Sequence, residues 1–150
     1  MTLTLTLTVD ARDPGRLARF WAGLLDRDVT ADTRGALLPG AGNQLSLRFV
    51  PGADRAGRNR MHLHLTSTDP ADQQHTVQRA LRLGGAHLDV GQRPEEEHVV
   101  LADPEGNEFC VIEPGNKFLA GCGFLGEVAC DGTREVGVFW SADASIVLLQ

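Results

Sequence analysis

Arg60-Met61-His62-Leu63-His64-Leu65-Thr66-Ser67-Thr68-Asp69-Pro70 decides how this chain is read. Side chains alternate across a strand, so Met61, Leu63 and Leu65 fall on one face, with His62, His64 and Thr66 on the other. The run stops at an Asp-Pro pair. The aspartate can cap a helix, and the proline fits the first helical position, where its missing N–H is not needed. The same pattern stands near the start of the chain: residues 4–9 alternate threonine with leucine or valine, and Asp13-Pro14 then opens a helix. Superposing the two Asp-Pro pairs, a shift of 56 residues, sets Thr6 on His62, Thr8 on His64 and Leu7 on Leu63. The chain reads as one small unit written twice.

Working outward, residues 2–9 form a β-branched strand whose threonine face is free to meet something polar. Leu17, Phe20, Trp21, Leu24 and Leu25 then recur at helical spacing and make a core stripe. Short strands are expected around 28–30 and 36–38. After the turn Pro39-Gly40-Ala41-Gly42-Asn43, residues 44–50 alternate again, with Leu45, Leu47 and Phe49 opposite Ser46 and Arg48. The polar, Gly-containing stretch 51–59 links the copies, as a lid or as a plain connection. The second copy repeats the order: strand 60–67, helix 70–83 with a Gly84-Gly85 stop, and short strands 86–90 and 98–102. A tight turn, Asp103-Pro104-Glu105-Gly106-Asn107, leads into a closing strand 108–113. Matching Gly106-Asn107 to Gly42-Asn43 aligns Cys110 with Ser46 and Ile112 with Arg48. Each half reads β-α-β-β-β, with units at about 2–51 and 60–114 inside a domain of 1–115. Residues 116–150 resemble the opening of a third unit, in which Phe139-Trp140 repeats Phe20-Trp21, but the strands that would complete it do not follow.

At 150 residues the chain can bury a real core as one domain with a tail. Its 20 acidic against 14 basic residues give a charge of −6 and no basic stripe, which argues against nucleic acid. Cys110, Cys122 and Cys130 are an odd set without CxxC spacing, which suggests neither a disulfide framework nor a zinc knuckle. The beginning lacks the basic and apolar regions of a signal peptide, and no apolar run approaches the roughly 20 residues of a membrane span. The expectation is a cytoplasmic protein with no membrane partner.

The duplicated unit, the helix Asp-Pro-Gly-Arg-Leu-Ala-Arg-Phe-Trp-Ala-Gly-Leu-Leu and the hairpin Leu-Ala-Asp-Pro-Glu-Gly-Asn-Glu-Phe-Cys-Val-Ile together resemble the vicinal oxygen chelate superfamily. That superfamily holds glyoxalase I, extradiol dioxygenases, fosfomycin-modifying enzymes and bleomycin-binding resistance proteins. The resemblance covers roughly residues 2–113 and implies an α+β fold: two tandem βαβββ modules that pair their first strands and form a curled mixed sheet with a concave pocket. It also implies metal ligands at the first and last strand of each module. Those positions are Thr6, Ser46, His62 and Cys110 here, and only His62 suits a divalent ion of the usual kind. No cofactor is therefore expected, with His62, His64 and Cys110 as weak metal candidates.

His62 is the main candidate for chemistry, as a general base, a ligand-binding donor or a polar lining residue. Thr6, Thr8, Ser46, Arg48, His62, His64 and Cys110 are the expected pocket residues. Arg48 would bind an anionic group or pair with an acidic neighbour, and Cys110 reads as a small buried residue. His75, His87 and His98 read as surface residues. Three functions remain open: a metal-independent binder of a small organic molecule; a lyase, isomerase or dioxygenase with a nonstandard metal site around His62; and a non-catalytic module that forms a homodimer through its third unit.

Overall fold

Asp13 and Asp69 perform at the two helix starts what the sequence asks of them. The Asp13 carboxylate accepts the Arg16 amide, that of Asp69 accepts the Asp72 amide, and a proline follows each. The chain's computed structural model describes residues 5–53, 59–135 and 138. Residues 2–4 of the first expected strand, 54–58 of the linker, and Phe139-Trp140 of the third unit lie outside the described residues. So does the apolar helix face on which the homodimer expectation rested.

The first module runs β1 (Thr6–Ala11), α1 (Pro14–Leu25), β2 (Thr30–Asp32), β3 (Gly35–Leu38) and β4 (Ser46–Pro51). The second runs β5 (Met61–Leu65), α2 (Pro70–Arg82), β6 (Ala86–His87), β7 (Val99–Ala102) and β8 (Glu108–Val111), and β9 (Leu125–Cys130) follows. The α+β class and the twofold β-α-β-β-β order are as expected. Each module closes its sheet in the same way: β1 lies parallel to β4, β5 lies parallel to β8, and the short strands run antiparallel beyond. The strand at 86–90 shrinks to two residues because the Asp89 carboxylate takes the Gly91 amide and turns the chain there.

One pairing differs from the implied one. The strands form two mixed sheets, β1-β4-β3-β2 and β6-β7-β8-β5-β9, so β5 is flanked by β9 and not by β1. The ladder runs antiparallel from Met61 opposite Cys130 to Leu65 opposite Leu125. β9 follows β8, the other neighbour of β5, and folds back onto the edge of β5 that β8 leaves open. Leu125 is buried in the core, and the Thr66 amide donates to the Phe124 carbonyl to start the ladder.

The two modules share one core. The rings of Phe20 and Trp21 on α1 meet Phe109 on β8 edge-on, at centroid distances of 6.0 and 5.0 Å. Leu47, Phe49, Leu65, Leu101 and Val111 are essentially inaccessible around them, and each such side chain contributes about 1.5–3 kcal/mol of burial. α2 buries only Thr76 and Ala80, small residues one turn apart that let it lie close to the sheet. The turn at 103–107 fastens the modules. The Glu105 carboxylate accepts the amides of Arg12 and Asp13 at the β1–α1 junction, while Asp103 accepts the Trp21 indole N–H at 3.1 Å.

Candidate functional site

Alternation on β5 sends Leu63 and Leu65 into the core and leaves His62 and His64, half-buried, on the opposite face. Cys110 stands directly across from His64 on β8 and is buried in a smaller cluster with Val100, Ile112 and Leu119. The two imidazoles meet with His62 Nε2 2.8 Å from His64 Nε2 and ring centroids 4.7 Å apart. On the far side of His64, Nδ1 lies 2.5 Å from Glu127 Oε1 on β9. This chain of contacts closes when His64 donates its Nδ1–H to Glu127 and accepts the His62 Nε2–H on its own Nε2.

Burial, and then the neighbouring His64, lower the His62 pKa against the opposing pull of Glu108, Asp131 and Glu127. The imidazole is therefore neutral near neutral pH. Burial, aided by Glu108 and Glu127, pushes the Cys110 thiol up to about 12, which leaves it protonated and unreactive as a free thiol. Sequence reasoning missed Glu127. Its only signal was the strand-like start of a third unit at residues 124–128, which marks a strand without naming its partner.

In the first module Thr6 and Thr8 are exposed on β1, and Thr6 stands opposite Ser46. The buried Ser46 hydroxyl accepts the Gly40 amide at 2.9 Å. Arg48 gives both oxygens of Asp32 a hydrogen bond, at 3.0 and 2.9 Å, so its guanidinium is engaged by an acidic neighbour. These pairings also refine the internal repeat. Thr6 faces Ser46 while His64 faces Cys110, so the ladder equivalent of Thr6 is His64 and not His62. His64 stands two residues nearer to the Asp69 cap than Thr6 does to Asp13, and an even difference keeps every side chain on its face. His75 and His87 are exposed as expected, and His98 is half-buried, its carbonyl accepting from Gln92.

A recess of about 100 Å³ lies between the modules. Its walls include Leu7, Val9, Phe49 and Leu63, with the Trp21 ring and Val128 beside them. Thr8, Asn59 and His62 supply its polar groups, while Asp103, Asn107 and Glu108 also line it. Of the expected pocket residues, Thr8 and His62 line the recess. His62, His64 and Cys110 gather into one cluster, whose candidate ligand atoms all lie within 4.8 Å of one another. Ser46 and Arg48 are engaged within the first module.

The four positions that the resemblance assigns to a metal do not fit one. Thr6 and Ser46 offer neutral hydroxyls, and that of Ser46 already serves Gly40. His62 and Cys110 remain, and two donors do not make the usual oxygen- and nitrogen-rich site.

A model of the glyoxalase-like domain matches residues 6–112. A comparison with curated proteins finds no match. Among solved structures, a glyoxalase-related enzyme from Fulvimarina pelagi is similar at a TM-score of 0.60 and 17% identity, over 88% of this chain and 100% of that one. The fosfomycin resistance protein FosX from Mesorhizobium loti gives a TM-score of 0.56 and 20% identity, over 77% of this chain and 93% of that one. TnmS3, an antibiotic binding protein from Streptomyces sp. CB03234, gives 0.52 and 20%, over 77% and 98%. At these identities the likeness speaks for the fold.

Proposed function

The chain belongs to the glyoxalase-like domain family, and on that premise we propose that it binds a small, largely apolar organic molecule in the recess between its modules. The observation that carries this reading is the recess itself: apolar walls from both modules, with Thr8, Asn59 and the neutral His62 as polar anchors. Ligand sites have this composition, many apolar walls and a few placed polar groups. Its volume of about 100 Å³ is well under the ~300 Å³ at which drug-sized pockets begin, so it takes a small ligand or the apolar end of a larger one. His62 would accept or donate one hydrogen bond to the ligand's polar end, and this binding needs no metal ion. Two structural neighbours are an antibiotic binding protein and a fosfomycin resistance protein, which supports a small organic ligand.

The test is a screen of small apolar fragments by thermal shift and calorimetry, repeated on Thr8→Trp. Thr8 is an exposed residue on the recess lining, so the larger ring obstructs the site without crowding the core. Fragments that stabilise the native chain and lose at least tenfold in affinity with Thr8→Trp support the reading. A screen without stabilising fragments, or with fragments indifferent to the substitution, overturns it.

A further inference from the structure

We propose that His62 Nε2, His64 Nε2 and Cys110 Sγ form a site for one late transition-metal cation of the zinc type, built wholly within the second module. One ligand atom from each of the three residues already lies within 4.8 Å of the other two. The backbone places them there. His62 and His64 are two apart on one face of β5, and the parallel β8 sets Cys110 beside His64. Glu127 makes the cluster more than a coincidence of neighbours. Its carboxylate holds His64 Nδ1 at 2.5 Å, which fixes the ring and leaves Nε2 facing His62. A carboxylate behind a ligating imidazole is the usual way a protein orients and strengthens such a ligand.

The distances suit a tetrahedral ion after small adjustments. Bonds of about 2.0–2.1 Å to nitrogen and 2.3 Å to sulfur place two nitrogens roughly 3.3 Å apart, and nitrogen and sulfur roughly 3.5 Å apart. The two Nε2 atoms, now 2.8 Å apart, must part by about half an ångström. The sulfur need move in by no more than about 1.3 Å. Two imidazoles and one thiolate select zinc, cobalt or copper over magnesium or calcium, which take oxygen. Protons balance simply. The Cys110 thiol gives its proton to solvent as the sulfur–metal bond forms, and His62 moves its ring proton from Nε2 to Nδ1. Three protein ligands leave a fourth position for water or a ligand heteroatom.

This site keeps His62 and Cys110 of the four implied positions and takes its third ligand from His64, in place of the hydroxyls of Thr6 and Ser46. It shares only His62 with the recess, which His64 and Cys110 do not line.

The experiment is a titration of the chelator-treated full chain with Co(II), read by absorption and by metal content after dialysis. One Co(II) per chain is expected, with a tetrahedral ligand-field spectrum and a thiolate-to-cobalt charge-transfer band that Zn(II) abolishes by displacement. Cys110→Ser is expected to lose the charge-transfer band. Glu127→Gln, a conservative change at a half-buried position, is expected to keep the band and weaken affinity about 10–100-fold. Should Cys110→Ser fail to fold, Glu127→Gln and the native chain still decide. A native chain that retains no cobalt overturns the proposal, as does a charge-transfer band that survives Cys110→Ser or an affinity unmoved by Glu127→Gln.

Discussion

Gln44 and Leu125 are joined as if they belonged to neighbouring strands. The Gln44 Oε1 accepts the Leu125 amide at 3.0 Å, and its Nε2 donates to the Leu125 carbonyl at 3.3 Å. A side-chain amide has the same donor and acceptor as a peptide group, so it continues the hydrogen-bonding pattern where no strand of the first module reaches. Arg27 supports it from the α1 side, giving hydrogen bonds to Gln44 Oε1 and to the Leu45 carbonyl.

Gln44→Ala is therefore expected to destabilise the chain by about 1–2 kcal/mol, the value of two part-buried hydrogen bonds. The effect should be local, with hydrogen exchange at the Leu125 amide accelerating more than at Leu65 or Val111. Unchanged exchange at Leu125 would show that the ladder to β5 alone holds β9 in place.

Asp103 supports a second prediction. Its buried carboxylate accepts from the Trp21 indole, the Asn107 side-chain amide and the backbone amides of Glu105 and Asn107. Burial raises its pKa despite those donors, which lower it. Asp103→Ala strands the donors and unfastens the modules, so a loss of about 3 kcal/mol in urea unfolding is expected. A midpoint within experimental error of the native one would contradict the role given to this turn.

The lowered pKa of His62 sets a pH dependence in the metal-free protein. Below the unfolded value of about 6.5, the unfolded chain takes up a proton that the folded imidazole still refuses. Stability from this group is thus full above about pH 6.5 and is lost as pH falls toward the folded value. The facing groups are His64 on β5, Glu108 on β8, Glu127 on β9, and Asp131 after it. In thermal unfolding between about pH 5 and 7, the native chain should gain stability with pH more steeply than His62→Gln. Parallel slopes would show that His62 does not titrate in this way.

Local order was legible in the sequence because local physics wrote it. The Asp13 and Asp69 caps, the Phe20–Trp21 stripe and the alternation around His62 each depend on residues within a turn or a strand. The partner of β5 was not legible, since local pattern marks a strand without naming its neighbour and the choice rests on tertiary packing, the burial of Leu125 included. Glu127 went unseen for the same reason, since only the ladder brings it to His64. The two-residue slip that makes His64 the counterpart of Thr6 lay hidden because capping motifs fix where a helix starts and carry no information about strand register. Asp103 was read as a turn residue, and its hold on Trp21 is a tertiary fact.

The most direct test of binding in the recess is an amide and indole correlation spectrum of the labelled chain during titration with small apolar fragments. The Trp21 indole N–H is the sharpest reporter, because its ring lines the recess and its proton is held by Asp103. Binding should shift that signal together with the amides of Leu7, Thr8, Val9 and Leu63, and Thr8→Trp should suppress the shifts. A spectrum in which no fragment moves the Trp21 indole, or in which the shifts gather away from these residues, would contradict a ligand site between the modules.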